Sequence, residues 1–330
     1  MTAGSLSACG SVKNTSADDG DKLRIVTTIF PEYDWVMNIL GKNSANAEVT
    51  MLLDNGVDLH SYQPTADDIM KIISCDLFIY VGGESDEWVE DALKEAVNKD
   101  MAVIDLLDVL GDMVKEEETV EGMQEEEHEH HHEDADEHEG EEADEHEHEE
   151  ETEYDEHVWL SLRNAKVLIE RISSEIQRID PDHAGEYSKN TDEYVEKLSE
   201  LDREYADITS NASIKTILFG DRFPFRYMVD DYGLSYYAAF AGCSAESEAS
   251  FETVTFLAKK VDELGLHSVV TIEGTDHRIA ETIVQNTESK DQKILSMDSM
   301  QSTTAKDVEN GTTYLAIMKK NRDILMEALK

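Results

Sequence analysis

The sequence predicts an α/β protein of two lobes, each with a parallel sheet flanked by helices, joined by a long rigid connecting helix and leaving a cleft between the lobes. Three observations predict it: two separate series in which strand patterns alternate with helical ones, one extended helical stretch between them, and 330 residues that are 40% hydrophobic, enough for two cores. Parallel strands need crossover connections, so alternation of strand and helix is the signature of such sheets.

In the first series, residues 23–31 read as a buried strand leading into a helix that Gly41 can end, and residues 47–53 as a strand running into the polar loop 54–63. Thr65 and Asp68 form a capping box for a helix with Ile69, Ile72 and Ile73 at core spacing, followed by a strand at 76–82 and a helix to about residue 98. Helical periodicity returns from 161 to 179, Pro181 interrupts it, and a second stretch carrying Tyr187, Tyr194, Leu198, Leu201 and Tyr205 runs to about 209. At about 1.5 Å per residue that stretch is roughly 40 Å long, more than one lobe requires, so it reads as the strut. The second series places strands near 214–220, 235–240, 267–273 and 294–298, each leading into a helical segment, and a last helix at 314–329. The predicted units are a leader and tether at 1–22, the first lobe at 23–115, a disordered low-complexity loop at 116–156, the rest of the first lobe at 157–180, the connecting helix at 181–209 and the second lobe at 210–330.

The net charge is -47, but residues 116–156 hold 24 of the 75 acidic side chains and no Lys or Arg, so the remainder carries -23. That balance excludes nucleic acid as a partner, since phosphate binding needs clustered Lys and Arg, and it suits cations instead. No run of eighteen apolar residues exists to span a bilayer. Residues 6–10, Leu-Ser-Ala-Cys-Gly, have the small-residue spacing of a bacterial lipoprotein processing site, which predicts a lipid on Cys9 and a tether in the polar residues 10–22. The apolar run that precedes such a site is missing, which implies a truncated start. Cys75 and Cys243 then allow one bridge or two free thiols.

His60 stands in the loop after the second strand, in Gly-Val-Asp-Leu-His-Ser-Tyr-Gln-Pro at 56–64, and His157 leaves the acidic tract in Asp-Glu-His-Val-Trp-Leu at 155–160, just before a helix. A loop imidazole at a strand's carboxyl end faces the cleft where open α/β sheets bind ligands. The tract holds His128, His130, His131, His132, His138, His146 and His148, seven of the chain's 12 histidines. It has too little apolar surface to fold, so it reads as a mobile loop, and its imidazoles suit zinc better than an ion that prefers oxygen.

These residues resemble the zinc and manganese solute-binding proteins of metal ABC importers, a zinc/manganese-binding lipoprotein family whose zinc branch is called ZnuA-like. The resemblance covers about residues 22–330 and rests on G-x-D-x-H-S-Y-Q-P-T at 56–65, D-x-H-V-W-L-S at 155–161 and the His/acid-rich insertion between them. It implies an extracytoplasmic, lipid-anchored monomer that binds Zn²⁺ for delivery to a membrane permease, with His60 and His157 as metal ligands; a manganese receptor and a metal-binding surface adhesin are the alternatives. The position of the family's third ligand falls on Arg222, which cannot ligate a metal. Asp221 beside it is the substitute, and Asp298, after the last predicted strand, matches the C-terminal ligand; Glu246 and Glu273 are in reserve. Two His with carboxylates is a set that four-coordinate Zn²⁺ accepts. Catalysis is not expected, because no H-E-x-x-H, phosphate-loop, G-x-S-x-G or G-x-G-x-x-G motif is present.

Overall fold

A computed structural model describes residues 22–124, 153–244, 248–274 and 276–330. The first lobe runs β1 (Leu23–Thr27), α1 (Phe30–Leu40), β2 (Ala47–Met51), α2 (Ala66–Ser74), β3 (Leu77–Tyr80), α3 (Trp88–Lys94), β4 (Ala102–Asp105) and α4 (Leu106–Leu110). Two helices follow, α5 (Leu162–Ile179) and α6 (Ala184–Asn211). The second lobe runs β5 (Thr216–Arg222), α7 (Arg226–Tyr232), β6 (Ser235–Phe240), α8 (Phe251–Leu264), β7 (Ser268–Ile272), α9 (Arg278–Asn286), β8 (Lys293–Met297), α10 (Ala305–Glu309) and α11 (Tyr314–Ala328).

Both sheets are parallel and share one plan, with strand orders β2-β1-β3-β4 and β6-β5-β7-β8. In each, the first strand of the lobe sits inside, so the chain reverses its winding there and opens a crevice at the carboxyl ends of the strands. The strand β4 has no counterpart among the predicted elements, because its four residues merge with α4 into one apolar run that hides the change of period.

Local chemistry fixes the element ends. Thr65 and Asp68 cap α2 reciprocally, as the capping box requires. Gly41 ends α1 at φ 55°, and a Cβ there would stand 2.5 Å from Nδ2 of Asn190 on α6, so glycine meets both the backbone and the packing demand.

The helix α6 is 28 residues long, about 42 Å at 1.5 Å per residue, and it starts after a short turn at Pro181–His183. Its buried face carries Tyr187, Tyr194, Leu198, Leu201 and Tyr205 and packs on α5, α1 and α11, and so touches both lobes. Tyr194 Oη donates to Asp34 Oδ2 on α1 at 3.0 Å, and Tyr205 Oη donates to the Met318 carbonyl on α11 at 2.7 Å. The main core is continuous through this contact, joining Ile25 and Phe78 under the first sheet to Val270, Met297 and Leu325 of the second lobe. A smaller cluster under α8 and α9 covers the outer face of the second sheet. Tyr205→Phe removes one hydrogen bond to a helical carbonyl and is expected to cost about 0.5–1.5 kcal/mol, read as a lower midpoint in urea at unchanged slope. An unchanged midpoint would show that the Tyr205 bond adds nothing to the junction. Among the described residues no helix is long and apolar enough to cross a membrane.

Candidate metal centre

His60 sits on the short 3₁₀ turn Leu59–Ser61, whose preceding residue Asp58 accepts a hydrogen bond from the His60 N–H at 3.1 Å. His157 opens the turn Val158–Leu160 that leads into α5, and Asp155 Oδ1 accepts from both its backbone N–H (2.8 Å) and its ring Nδ1 (2.9 Å). Both histidines belong to the first lobe. Asp155 binds Nδ1, which turns Nε2 of His157 towards the cleft side of the pair, and Nε2 of His60 lies 3.3 Å from it. Two ligand nitrogens on one tetrahedral zinc at 2.0–2.1 Å stand about 3.3 Å apart, so the pair already has the spacing of two arms of such a site. A carboxylate behind a ligating imidazole is also the usual outer partner of zinc-binding histidine.

The burial of the two rings differs. His60 remains partly exposed, with Nδ1 2.8 Å from Ser85 Oγ and 3.4 Å from Glu156 Oε2, whereas His157 is completely buried against Trp159. Burial, and then the neighbouring His157, push the His60 imidazolium down to about 4 against the pull of Asp58. Burial also works against a charge on His157, but the Asp155 carboxylate outweighs it and holds His157 above the ordinary value, so a proton shared by the pair rests beside Asp155.

The second lobe supplies the opposite wall. Gln301, in the loop after β8, places its amide nitrogen 3.0 Å from His157 Nε2 and donates to Asp58 Oδ1 at 3.3 Å. Arg222, at the end of β5, reaches Asp58 Oδ2 at 3.0 Å and the Ser244 carbonyl at 3.4 Å. The guanidinium thus spans the lobes. Cys243 follows β6, and its backbone N–H donates to Glu117 Oε1 at 3.0 Å. Its thiol and one ring nitrogen of each of His60 and His157 all lie within 4.8 Å of one another, a convergence among the described residues that the sequence reading missed. The sequence left Cys75 and Cys243 as one bridge or two free thiols; both are free, and Cys75 is buried in the core of the first lobe. A cleft of about 280 Å³ reaches this cluster, lined by His60, Ser85, Glu117, Glu156 and Cys243 among others.

Neither carboxylate expected to complete the shell joins the cluster. Asp221 accepts from the Arg222 and Ile272 amides at 2.9 and 3.4 Å, which ties it between β5 and β7. Asp298 accepts from the Met300 N–H at 2.9 Å and lies near Glu273; burial, with that like charge, pushes it up to about 6. Glu273 accepts from the Ser299 N–H and hydroxyl at 2.6 and 2.8 Å. These carboxylates accept from backbone amides of the second lobe, and in the loop that carries Asp298 it is Gln301 that is hydrogen-bonded to an imidazole. Glu246 lies outside the described residues.

Both ends of the loop expected at 116–156, residues 116–124 and 153–156, fall among the described residues. Glu116 pairs with Tyr154, the Asp155 N–H donates to the Lys115 carbonyl at 2.9 Å, and the Gln124 N–H donates to the Ala239 carbonyl at 3.0 Å, so both ends of the insertion are built into the rim of the cleft. Its seven histidines, and Cys9 with the leader, lie outside the described residues.

A family model described as the periplasmic zinc-uptake complex component A matches residues 25–328. The chain is 30% identical over 326 residues to the high-affinity zinc uptake system protein ZnuA of Bacillus subtilis, covering 98% of this chain and 93% of that protein. It is 29% identical over 304 residues to the zinc-binding protein AdcA of Streptococcus pyogenes serotype M3, covering 92% of this chain and 55% of the relative, so it spans about half the length of that protein. The Zn(II)-bound ZnuA-like domain of Streptococcus pneumoniae AdcA superimposes with a TM-score of 0.69 at 26% identity, covering 93% of this chain and 99% of that domain.

Proposed function

Because this chain belongs to the family of the periplasmic zinc-uptake component A, we propose that it captures Zn²⁺ outside the cytoplasm and delivers it to the permease of an ABC importer. The observation that carries the reading is the His60–His157 pair, with Nε2 atoms 3.3 Å apart at an acidic cleft and His157 held by Asp155. Imidazole ligands favour zinc over manganese, which prefers oxygen. The relatives' names agree, since both are zinc proteins.

In this reading the chain is a binding protein and not an enzyme, it acts as a monomer, and it is held at the cell membrane through a lipid on Cys9. The His-rich insertion, rooted at the cleft rim, gathers further zinc weakly. Calorimetry with Zn²⁺ and Mn²⁺ on the purified protein tests the metal: one tight zinc per chain that excess manganese does not displace is the expected result. Preference for manganese would favour the manganese receptor. Deletion of the gene is expected to impair growth under zinc limitation, and normal uptake in the deletion strain would favour the adhesin.

A further inference from the structure

The family resemblance puts the third ligand at Arg222, and an arginine there removes an arm of the site. The guanidinium is engaged with Asp58 and with the Ser244 carbonyl, next to Cys243 in sequence. Arg222 thereby anchors the turn that bears the thiol. The turn comes close to the imidazoles because residue 242 is glycine: a Cβ there would stand 2.9 Å from the Phe223 carbonyl and 3.2 Å from His157 Nδ1. On its other side, Glu117 holds the Cys243 N–H.

We propose that Cys243 is the third metal ligand, binding as a thiolate together with His60 and His157, so that a cysteine from the turn after β6 replaces the arm lost at Arg222. The proposal rests on the zinc-binding reading above. The three ligand atoms lie within 4.8 Å of one another, and sulfur and nitrogen on one tetrahedral zinc are about 3.6 Å apart, so a closure of at most about 1 Å brings the thiol into the shell. On binding, the sulfur–metal bond forms and the thiol proton passes to solvent. The thiolate takes the ion's +2 charge, uncompensated by two neutral imidazoles, down to +1, with Asp155 and Asp58 next outward. Sulfur with two imidazoles is a soft donor set, which widens the preference for zinc over manganese beyond what nitrogen and oxygen donors provide.

Cobalt(II) added at one equivalent to the full-length protein reports the ligand directly, because a cobalt–thiolate bond gives a near-ultraviolet charge-transfer band that imidazole and carboxylate do not. The His-rich tract contains no cysteine, so it contributes no such band. The band is expected in the wild type and in Cys75→Ser, and is expected to vanish in Cys243→Ser and Cys243→Ala, with zinc affinity falling at least about 10-fold. A wild type that binds cobalt tightly without the band, or a Cys243→Ser protein that keeps it, overturns the assignment and leaves zinc binding standing. A wild type that binds neither cobalt nor zinc tightly overturns the zinc reading itself.

Discussion

Replacing either His60 or His157 by alanine is expected to abolish tight zinc binding, a loss larger than the roughly 10–100-fold that removal of an outer hydrogen-bonding partner costs. The two variants should part company in stability. His60 sits partly exposed on a turn at the cleft, and its loss frees Ser85 Oγ and His157 Nε2, beside the buried Glu156. His157 is completely buried, so its loss leaves a cavity beside Trp159 and takes one hydrogen bond from each of Asp155 and Gln301, which keep the residue-157 N–H and Asp58 as partners. Two lost hydrogen bonds at about 0.5–1.5 kcal/mol each, together with the cavity, should make the metal-free His157→Ala protein melt below the wild type and below His60→Ala. Calorimetric titration measures the first effect and thermal melts of the chelated proteins the second. Zinc affinity equal to the wild type's in either variant would remove that residue from the site.

The second large effect is the pH dependence of the metal-free protein. Burial pushes the Asp34 carboxyl up to about 6, and burial with the charge of Glu156 pushes Asp86 up to about 7, from an ordinary 3.8. Glu32 is raised well above its usual range, first by burial and then by Asp86. These groups hold protons in the folded chain that they release on unfolding. Their contribution to stability is therefore complete below about pH 4 and is lost as pH rises through 6 and 7. His60 has the opposite sign: its folded value near 4 lies below the ordinary 6.5, so its contribution is present above 6.5 and is lost as pH falls towards 4. From pH 8 to 6.5 these acids act without that offset, and below 6.5 His60 cancels about one of them. The metal-free protein should thus gain on the order of 1–2 kcal/mol between pH 8 and pH 6, since each extra proton held by the folded chain contributes about 1.4 kcal/mol for every pH unit. Asp86→Asn sharpens the test, because it removes the buried charge while the amide oxygen can still accept from the Val81 and Gly82 amides as Oδ2 does. The variant should be more stable than the wild type at pH 8 and show a flatter profile. Loss of stability on going from pH 8 to pH 6 would contradict the assignment.

The fold was legible because its signals are local and repeated. Alternating strand and helix periods, the Thr65 cap, the Gly41 stop and the spacing of Tyr194, Leu198, Leu201 and Tyr205 each fix an element without reference to distant residues. The boundaries of β4 and of the insertion were not legible, since one merges with a helix and the other is anchored by backbone pairing to partners far along the chain. His60 and His157 could be read from their motifs. Cys243, Gln301 and the Arg222–Asp58 pair could not, because their role comes from the meeting of three loops of the second lobe with the first. Asp221 and Asp298 stand near the carboxyl ends of their strands, as expected, and there they accept hydrogen bonds from nearby backbone amides, contacts that no motif announces.

Along α6, Tyr194 is bonded to α1 of one lobe and Tyr205 to α11 of the other, within a single continuous core. Two sheets fastened to one stiff rod form one elastic body. Swinging them apart would bring Leu198, Leu201 and Tyr205 back into water at about 1.5–3 kcal/mol each. On the rim, Cys243 in the turn at 242–244 is half-buried, whereas the loop at 299–301 is buried, with Met300 in the core and the Ser299 carbonyl accepting from Trp159 Nε1. The strut thus holds the two lobes at a fixed separation, so that an ion exchanges past the rim and not by the lobes swinging open.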